Sequence, residues 1–383
     1  MLRPYIACLV LALSACGDDS ALGGDMAAPL LDASEDPAQE DSARGDSAPD
    51  ASSEAAVDAS APPDNATGRA EGLRATICAA GSFDPEASLD ERGPLETVAQ
   101  EGMVDGTAHA FTFLEGPVWL AERGVLRFSD FNQESELNAD DQGPPTIIWE
   151  LDVDGGVASF LPAGRVRTNG MAVDESGAMI VTAHDAREIA RLDPATGTRE
   201  TLSGAFEGNV FNAPNDLVVA ADGTLFFTDP AYNGQVDGRD RALDFEGVFR
   251  RAPNGTLSLV DERIGRPNGI TLSLDERWLY VASRADDNLY RYPLDASLNV
   301  GEREVFLPGE SNDGVALDCA GRLYLARPGR GLAIFEADGA FLFQISARQI
   351  TNAAFGGPDH RTLYITERTR LRAMRMPLPG LPY

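Results

Sequence analysis

Six polar residues, Glu115, Asn169, Asn215, Asn268, Asp313 and Asn352, each open a short apolar segment, and each offers oxygen as its ligand atom. The segments read Glu115-Gly-Pro-Val-Trp119, Asn169-Gly-Met-Ala-Val-Asp174, Asn215-Asp-Leu-Val-Val219, Asn268-Gly-Ile-Thr-Leu272, Asp313-Gly-Val-Ala-Leu-Asp318 and Asn352-Ala-Ala-Phe355. Neither His nor Cys stands among the six. Carboxylate and amide oxygens select Ca²⁺, Mg²⁺ or Mn²⁺ over Cu²⁺ or a thiolate-bound ion. Two carboxylates (Glu115, Asp313) and two amide carbonyls (Asn215, Asn268) would set two negative charges against a divalent cation, with waters completing its shell. Ca²⁺ is the first choice, because Mg²⁺ seldom sits in a cage built wholly by protein; Zn²⁺, Mn²⁺ and Mg²⁺ are the alternatives. Taken singly, each Asn or Asp could be a turn residue bonding its own backbone. Against that, Glu is a poor turn residue, and a separate turn signal follows at a fixed distance.

That signal defines the elements that must position the six. Gly177, Gly223, Glu276 and Gly321 each lie eight positions after an opener, and a second strand follows, as in Leu225-Phe-Phe-Thr-Asp229 or Leu323-Tyr-Leu-Ala326. Successive openers are separated by 54, 46, 53, 45 and 39 residues, the length of a four-stranded propeller blade. Further short runs (Val125–Ser129, Thr146–Glu150, Gly247–Arg250, Leu332–Phe335) are punctuated by Asp-Gly and Asn-Gly turns, and helical periodicity is scarce after Thr76. The pattern predicts an all-β, six-bladed β-propeller, in which equivalent positions converge on the central channel. A propeller closes by pairing one terminus into its last blade; Ala108–Phe113 and Leu371–Met376 are the candidate closing segments.

The ends and the composition bound the function. Residues 1–15, with one charge at Arg3 and an apolar run from Tyr5 to Leu13, read as a signal peptide ending in Leu13-Ser14-Ala15-Cys16, a lipoprotein motif that would leave a lipid on Cys16. Residues 16–72 read as a disordered tether; from Gly17 to Ala66 it holds 13 acidic residues and one basic residue, with too little apolar surface to fold. Residues 73–383 form the propeller. The expected location is the cell envelope, on the outer membrane, with contact to the membrane only through the anchor. The chain has a formal net charge of −30 among its 383 residues, which disfavours nucleic acid and anionic surfaces as partners. All 31 basic residues are Arg, so lysine Schiff-base chemistry is excluded. Cys78 and Cys319 could pair in an exported protein or remain two buried thiols.

Taken in order, Glu115-Gly-Pro-Val-Trp119, Arg167-Thr-Asn169-Gly170, Pro214-Asn215-Asp216, Phe227-Thr-Asp-Pro230, Pro267-Asn268-Gly269-Ile270 and Thr351-Asn-Ala-Ala-Phe-Gly-Gly-Pro358 resemble the gluconolactonase and regucalcin (senescence marker protein) family of six-bladed propellers. The resemblance runs from about Phe111 to Met376. It implies that Glu115, Asn215, Asn268 and Asp313 are metal ligands, that Arg167 and Asn169 line the substrate pocket, and that His184 stands beside it. Asn352 would be structural, and Tyr232 would edge the pocket or pack. The activity implied is metal-dependent hydrolysis of a sugar lactone, with the cation polarising the carbonyl and Asp313 activating water. Two other readings stay open: an organophosphate or other ester hydrolase on the same site, and a propeller that only binds carbohydrate or protein. No Gly-x-Ser-x-Gly nucleophile elbow is present. The long acidic loop from Asn132 to Pro145 is a departure expected to reshape the entrance, and a monomer acting on a small-molecule lactone is expected.

Overall fold

The computed structural model describes residues 73–79, 81–131, 146–152, 156–161, 167–174, 176–184, 186–231, 242–310 and 312–383. The signal segment, the tether, Tyr232 and the loop from Asn132 to Pro145 lie outside them.

Among the described residues six four-stranded antiparallel blades follow one another along the chain. Blade 1 is built from Leu114–Leu120, Val125–Phe131, Thr146–Asp152 and Gly156–Leu161; blade 2 from Thr168–Val173, Met179–Ala183, Glu188–Leu192 and Arg199–Ser203. Blade 3 holds Leu217–Val219, Leu225–Asp229, Gly247–Arg251 and Leu257–Asp261; blade 4 holds Pro267–Leu272, Trp278–Ser283, Asn288–Pro293 and Glu304–Leu307. Blade 5 holds Val315–Leu317, Leu323–Arg327, Gly331–Phe335 and Phe341–Ile345, and blade 6 holds Ile350–Gly356, Thr362–Glu367 and Arg370–Arg375 with Glu96–Ala99 on its outer edge. The first strand of every blade touches the first strand of the next, and the last touches the first, so the ring is closed. Inner strands such as Thr168–Val173 are buried at every position, whereas outer strands such as Arg199–Ser203 are half exposed. Burial on both faces is why the inner strands read as almost unbroken apolar runs.

The turn between the first two strands of each blade sits where the repeat places it. Gly177, Gly223 and Gly321 have φ of 77°, 84° and 82°, and Glu276 has φ of 54°. The left-handed conformation favours glycine; Glu276 adopts it while its carboxylate ties down Ala221 N–H (2.8 Å) and Arg74 (3.5 Å). In blades 1 and 6 the corresponding turns use Gly124 and His360, φ 68° and 55°.

Closure differs from the sequence reading in one element. Glu96–Ala99 is the closing strand, pairing with Arg370–Arg375 through Glu96↔Ala373 and Thr97↔Arg372. Thr107–Ala110 instead folds back on Glu101–Val104 as a hairpin, which joins the outer strand of blade 1 at Met103↔Ala158. The reason is local: Asp105 and Gly106 (φ 49° and 80°) supply two successive left-handed residues, a tight hairpin turn that captures the segment before it can reach blade 6.

One end of the channel is stoppered by the C-terminal segment and the short helix Leu73–Ile77. The C-terminal segment accepts hydrogen bonds from Trp119 N–H at Pro382 and from Phe355 N–H at Leu381 (2.9 and 3.0 Å), while Leu381 N–H donates to Leu317 (2.9 Å). From the short helix Leu73–Ile77, buried Arg74 donates to the Ser273 carbonyl (2.9 Å) and the Tyr383 hydroxyl (3.2 Å). Cys78 and Cys319 form a disulfide, 241 residues apart in sequence, which staples this helix to blade 5.

Candidate active site

The openers meet at the other end of the channel because the inner strands crowd there. At Gly116 a Cβ would lie 2.0 Å from the Asn169 carbonyl oxygen, and at Gly269 one would lie 2.2 Å from the Asp313 carbonyl oxygen. Only glycine permits these approaches, and each sets one opener's strand against the opener of the next blade. Hydroxyl groups from the second strands lock the junctions. Ser129, Thr182 and Thr228 donate to the carbonyls of Asn169, Asn215 and Asn268 (3.1, 3.0 and 3.0 Å). Between the last blade and the first, Thr351 Oγ1–H donates to the Leu114 carbonyl (2.5 Å). The segments leading into the openers are pinned as well. Asp130 accepts from Thr112 and Phe113 N–H, and Asp229, in the same register position of blade 3, accepts from Asn212 and Ala213 N–H.

Glu115, Asn169, Asn215 and Asn268 are buried, between 6% and 8% exposed. Glu115 and Asp313 lie within electrostatic reach of each other. Burial first, then repulsion from Asp313 and Asp216, pushes the Glu115 carboxyl well above its ordinary range, against the pull of Gly116 N–H and Arg284. Burial lifts Asp313 to about 6, opposed by Arg284, by a hydrogen bond from the Asn268 side chain, and by Arg368 and Arg266. Among the described residues no trio of His, Cys, Asp and Glu side chains gathers as a metal cluster. The ring is a mixed set instead, carboxylates standing beside amides.

The expected substrate residues come from blade 2. Arg167 and Asn169 are buried, 4% and 8% exposed, on either side of Thr168 at the start of the inner strand. His184 follows the second strand, its N–H donating to the Arg167 carbonyl (2.6 Å). His184 Nε2 is 2.6 Å from the Pro214 carbonyl, an acceptor only, so Nε2 carries the proton. The ring lies 5.6 Å from that of Phe131. His184 thus bridges blade 2 to the residue that precedes Asn215. The Asn352 side chain accepts from Ala353 N–H (2.8 Å) and packs on Gly314, so it is engaged within its own strand.

One partly buried acid escapes a reading of the openers. Asp216 stands one position past Asn215, where the other blades carry Gly or Ala. Its carboxylate accepts from Leu217 N–H (2.9 Å) and Ile270 N–H (3.3 Å), bridging blades 3 and 4, and burial lifts it to about 7 with a further push from Asp313. The sequence signal was its departure from that Gly/Ala slot; beside Asn it read as an ordinary turn pair.

A closed six-bladed propeller with a buried oxygen-rich ring at one end defines a class that the comparisons bring into focus. Residues 113–369 match the family described as SMP-30/Gluconolactonase/LRE-like region, and the chain belongs to that family. A gluconolactonase of Zymomonas mobilis is 33% identical over 322 residues, covering 76% of this chain and 84% of its own length. Pentonolactonase XacC of Haloferax volcanii is 28% identical over 66% of this chain and 80% of its own. A solved gluconolactonase structure from Xanthomonas campestris superimposes with a TM-score of 0.62 at 27% identity, over 75% of this chain and 90% of that one.

Proposed function

We propose that this propeller hydrolyses a sugar lactone with a divalent cation, Ca²⁺ first, held by Glu115, Asn215, Asn268 and Asp313. The observation that carries the reading is a buried Glu115 carboxylate held within the repulsion of partly buried Asp313, beside amide groups, where the inner strands begin. A buried carboxylate whose proton affinity is raised by a neighbouring carboxylate favours positive charge, and the oxygen-only donor set suits a hard cation. The relatives support the substrate class, since their names specify glucono- and pentonolactones.

A bound cation would supply electrophilic pull on the lactone carbonyl oxygen. The chain's own residues would do the rest. Asn169 and Arg167 would hold the ring hydroxyls at the blade 2 side, with His184 fixed between Phe131 and Pro214 as the wall of the pocket. Asp313 would take the proton of the attacking water and return it to the ring oxygen as the acyl C–O bond breaks, giving a hydroxy acid. The motif ending at Cys16 supports placement on the cell envelope through a lipid.

Titration of acid released from a δ-lactone by the full chain tests the reading. Activity should vanish with chelator and return with Ca²⁺. Unimpaired hydrolysis in chelator would remove the cation from the account, and a failure to open any lactone would remove the function.

A further inference from the structure

Asn268 occupies a break in its own ladder. Pro267 pairs with Ser283, and pairing resumes only at Ile270↔Val281, so Asn268 and Gly269 form a bulge. Residues in a bulge lack ladder partners, and whatever pins the ends of the bulge sets the aim of their side chains. Both pins come from blade 3. Thr228 Oγ1–H donates to the Asn268 carbonyl (3.0 Å), and the Asp216 carboxylate accepts from Ile270 N–H (3.3 Å), where pairing resumes. These two residues are themselves joined. Asp216 N–H donates to Thr228 Oγ1 (3.1 Å), and Thr228 N–H donates to the Asp216 carbonyl (3.0 Å). The other carboxylate oxygen of Asp216 accepts from Leu217 N–H (2.9 Å), which fixes the direction of the side chain.

This junction is unlike the others around the ring. Gly116, Gly170, Gly269 and Gly314 follow the openers of blades 1, 2, 4 and 5, and Ala353 follows that of blade 6. A Cβ at Gly116, Gly269 or Gly314 would lie 2.0, 2.2 or 1.8 Å from an atom of the next opener, so these blades close by direct contact. Asp216 carries a Cβ and a carboxylate in the same slot, and blade 3 reaches blade 4 through that side chain instead. On its other flank Gly170 leaves room for it, since a Cβ there would lie 2.7 Å from Asp216 Oδ1. Asn268 in turn meets Asp313: its side-chain amide gives an N–H to the carboxylate, so the amide oxygen is the atom offered to a cation. Glu115 also feels the Asp216 charge, which would act on a cation without any help from Asn268.

We infer that Asp216 is a positioning residue, which aims the Asn268 side chain at the bound cation by clamping the far end of its bulge. This rests on the cation reading of the ring. A loose amide would have to be ordered each time a cation bound, and the clamp meets that cost in advance.

Calorimetric titration of the full chain with Ca²⁺ tests the clamp. Asp216→Gly gives blade 3 the residue that follows four of the other openers, and should weaken Ca²⁺ binding about tenfold, the scale for a residue that orients a ligand. Asp216→Asn keeps one acceptor and removes the charge, and should lose less. In an Asn268→Ala background, Asp216→Gly should cost about twofold or less, because the side chain it aims is gone. A loss that persists undiminished in that background, or an Asp216→Asn protein as weak as Asp216→Gly, assigns Asp216 to charge alone and overturns the inference. Should the parent bind no Ca²⁺, the cation reading falls on its own, and amide exchange in the cation-free protein decides the clamp. Exchange at Ile270 about tenfold faster or more in Asp216→Gly, with the outer strands unchanged, supports it; an unchanged rate overturns it.

Discussion

The two ends of the channel are made from the same six inner strands and treat charge in opposite ways. At the stoppered end a buried arginine meets its carboxylate, Arg74 with Glu276 at 3.5 Å, and the C-terminal backbone satisfies the strand ends. At the open end buried Glu115 lies within the repulsion of two further carboxylates, partly buried Asp313 and Asp216, with amides around them. A fold that needs only stability matches its buried charges, as the stoppered end does. The gathering of like charge at the other end is what a bound cation would offset.

The sharpest break between the ends should come from exchanging one atom. Asp313→Asn should lower kcat/KM for a lactone on the order of a thousandfold, the scale of a lost general base, while the melting temperature of the cation-free protein holds or rises. A large loss of stability instead would make Asp313 structural, and the contrast between the ends would fail.

The stoppered end should respond the other way. Cys78→Ser together with Cys319→Ser should lower stability by about 4 kcal/mol, since the disulfide closes a loop of more than two hundred residues. Arg74→Ala should cost on the order of 3 kcal/mol by leaving Glu276 buried without its partner. Denaturant titration reads both losses, and turnover per folded molecule should stay at the parent value. An equal fall in turnover would show that the two ends are coupled.

The smallest effect is that of pH. Asp313 at about 6 and Asp216 at about 7 bind protons more tightly in the fold than their ordinary value of 3.8. Their contribution to stability is complete below about pH 4 and is lost as pH rises through 6 to 7. Without cation, this contribution should lower the melting temperature by several degrees across that window. Added Ca²⁺ should stabilise more at pH 7.5 than at pH 5. A Ca²⁺ increment independent of pH would place binding away from these carboxylates.

The openers and their turns were legible because they repeat. Glu276 and the glycines eight residues beyond the openers all take left-handed φ, as the fixed offset requires. The closing strand was not legible. Glu-Thr-Val-Ala from Glu96 is four residues long and mostly exposed, so it lacks the alternation that marks a strand, and the stronger hairpin signal at Asp105-Gly106 sits beside it. The pairing of Cys78 with Cys319 depended on a helix of five residues docking beneath blade 5, which no local pattern reports.

The central claim is tested most directly by calorimetric titration of the full chain with Ca²⁺ at neutral pH, in parallel with Glu115→Gln and Asp313→Asn. One saturable site in the parent, weakened at least a hundredfold in both variants, is the predicted result. An absence of binding, or a site that survives both substitutions, would contradict it.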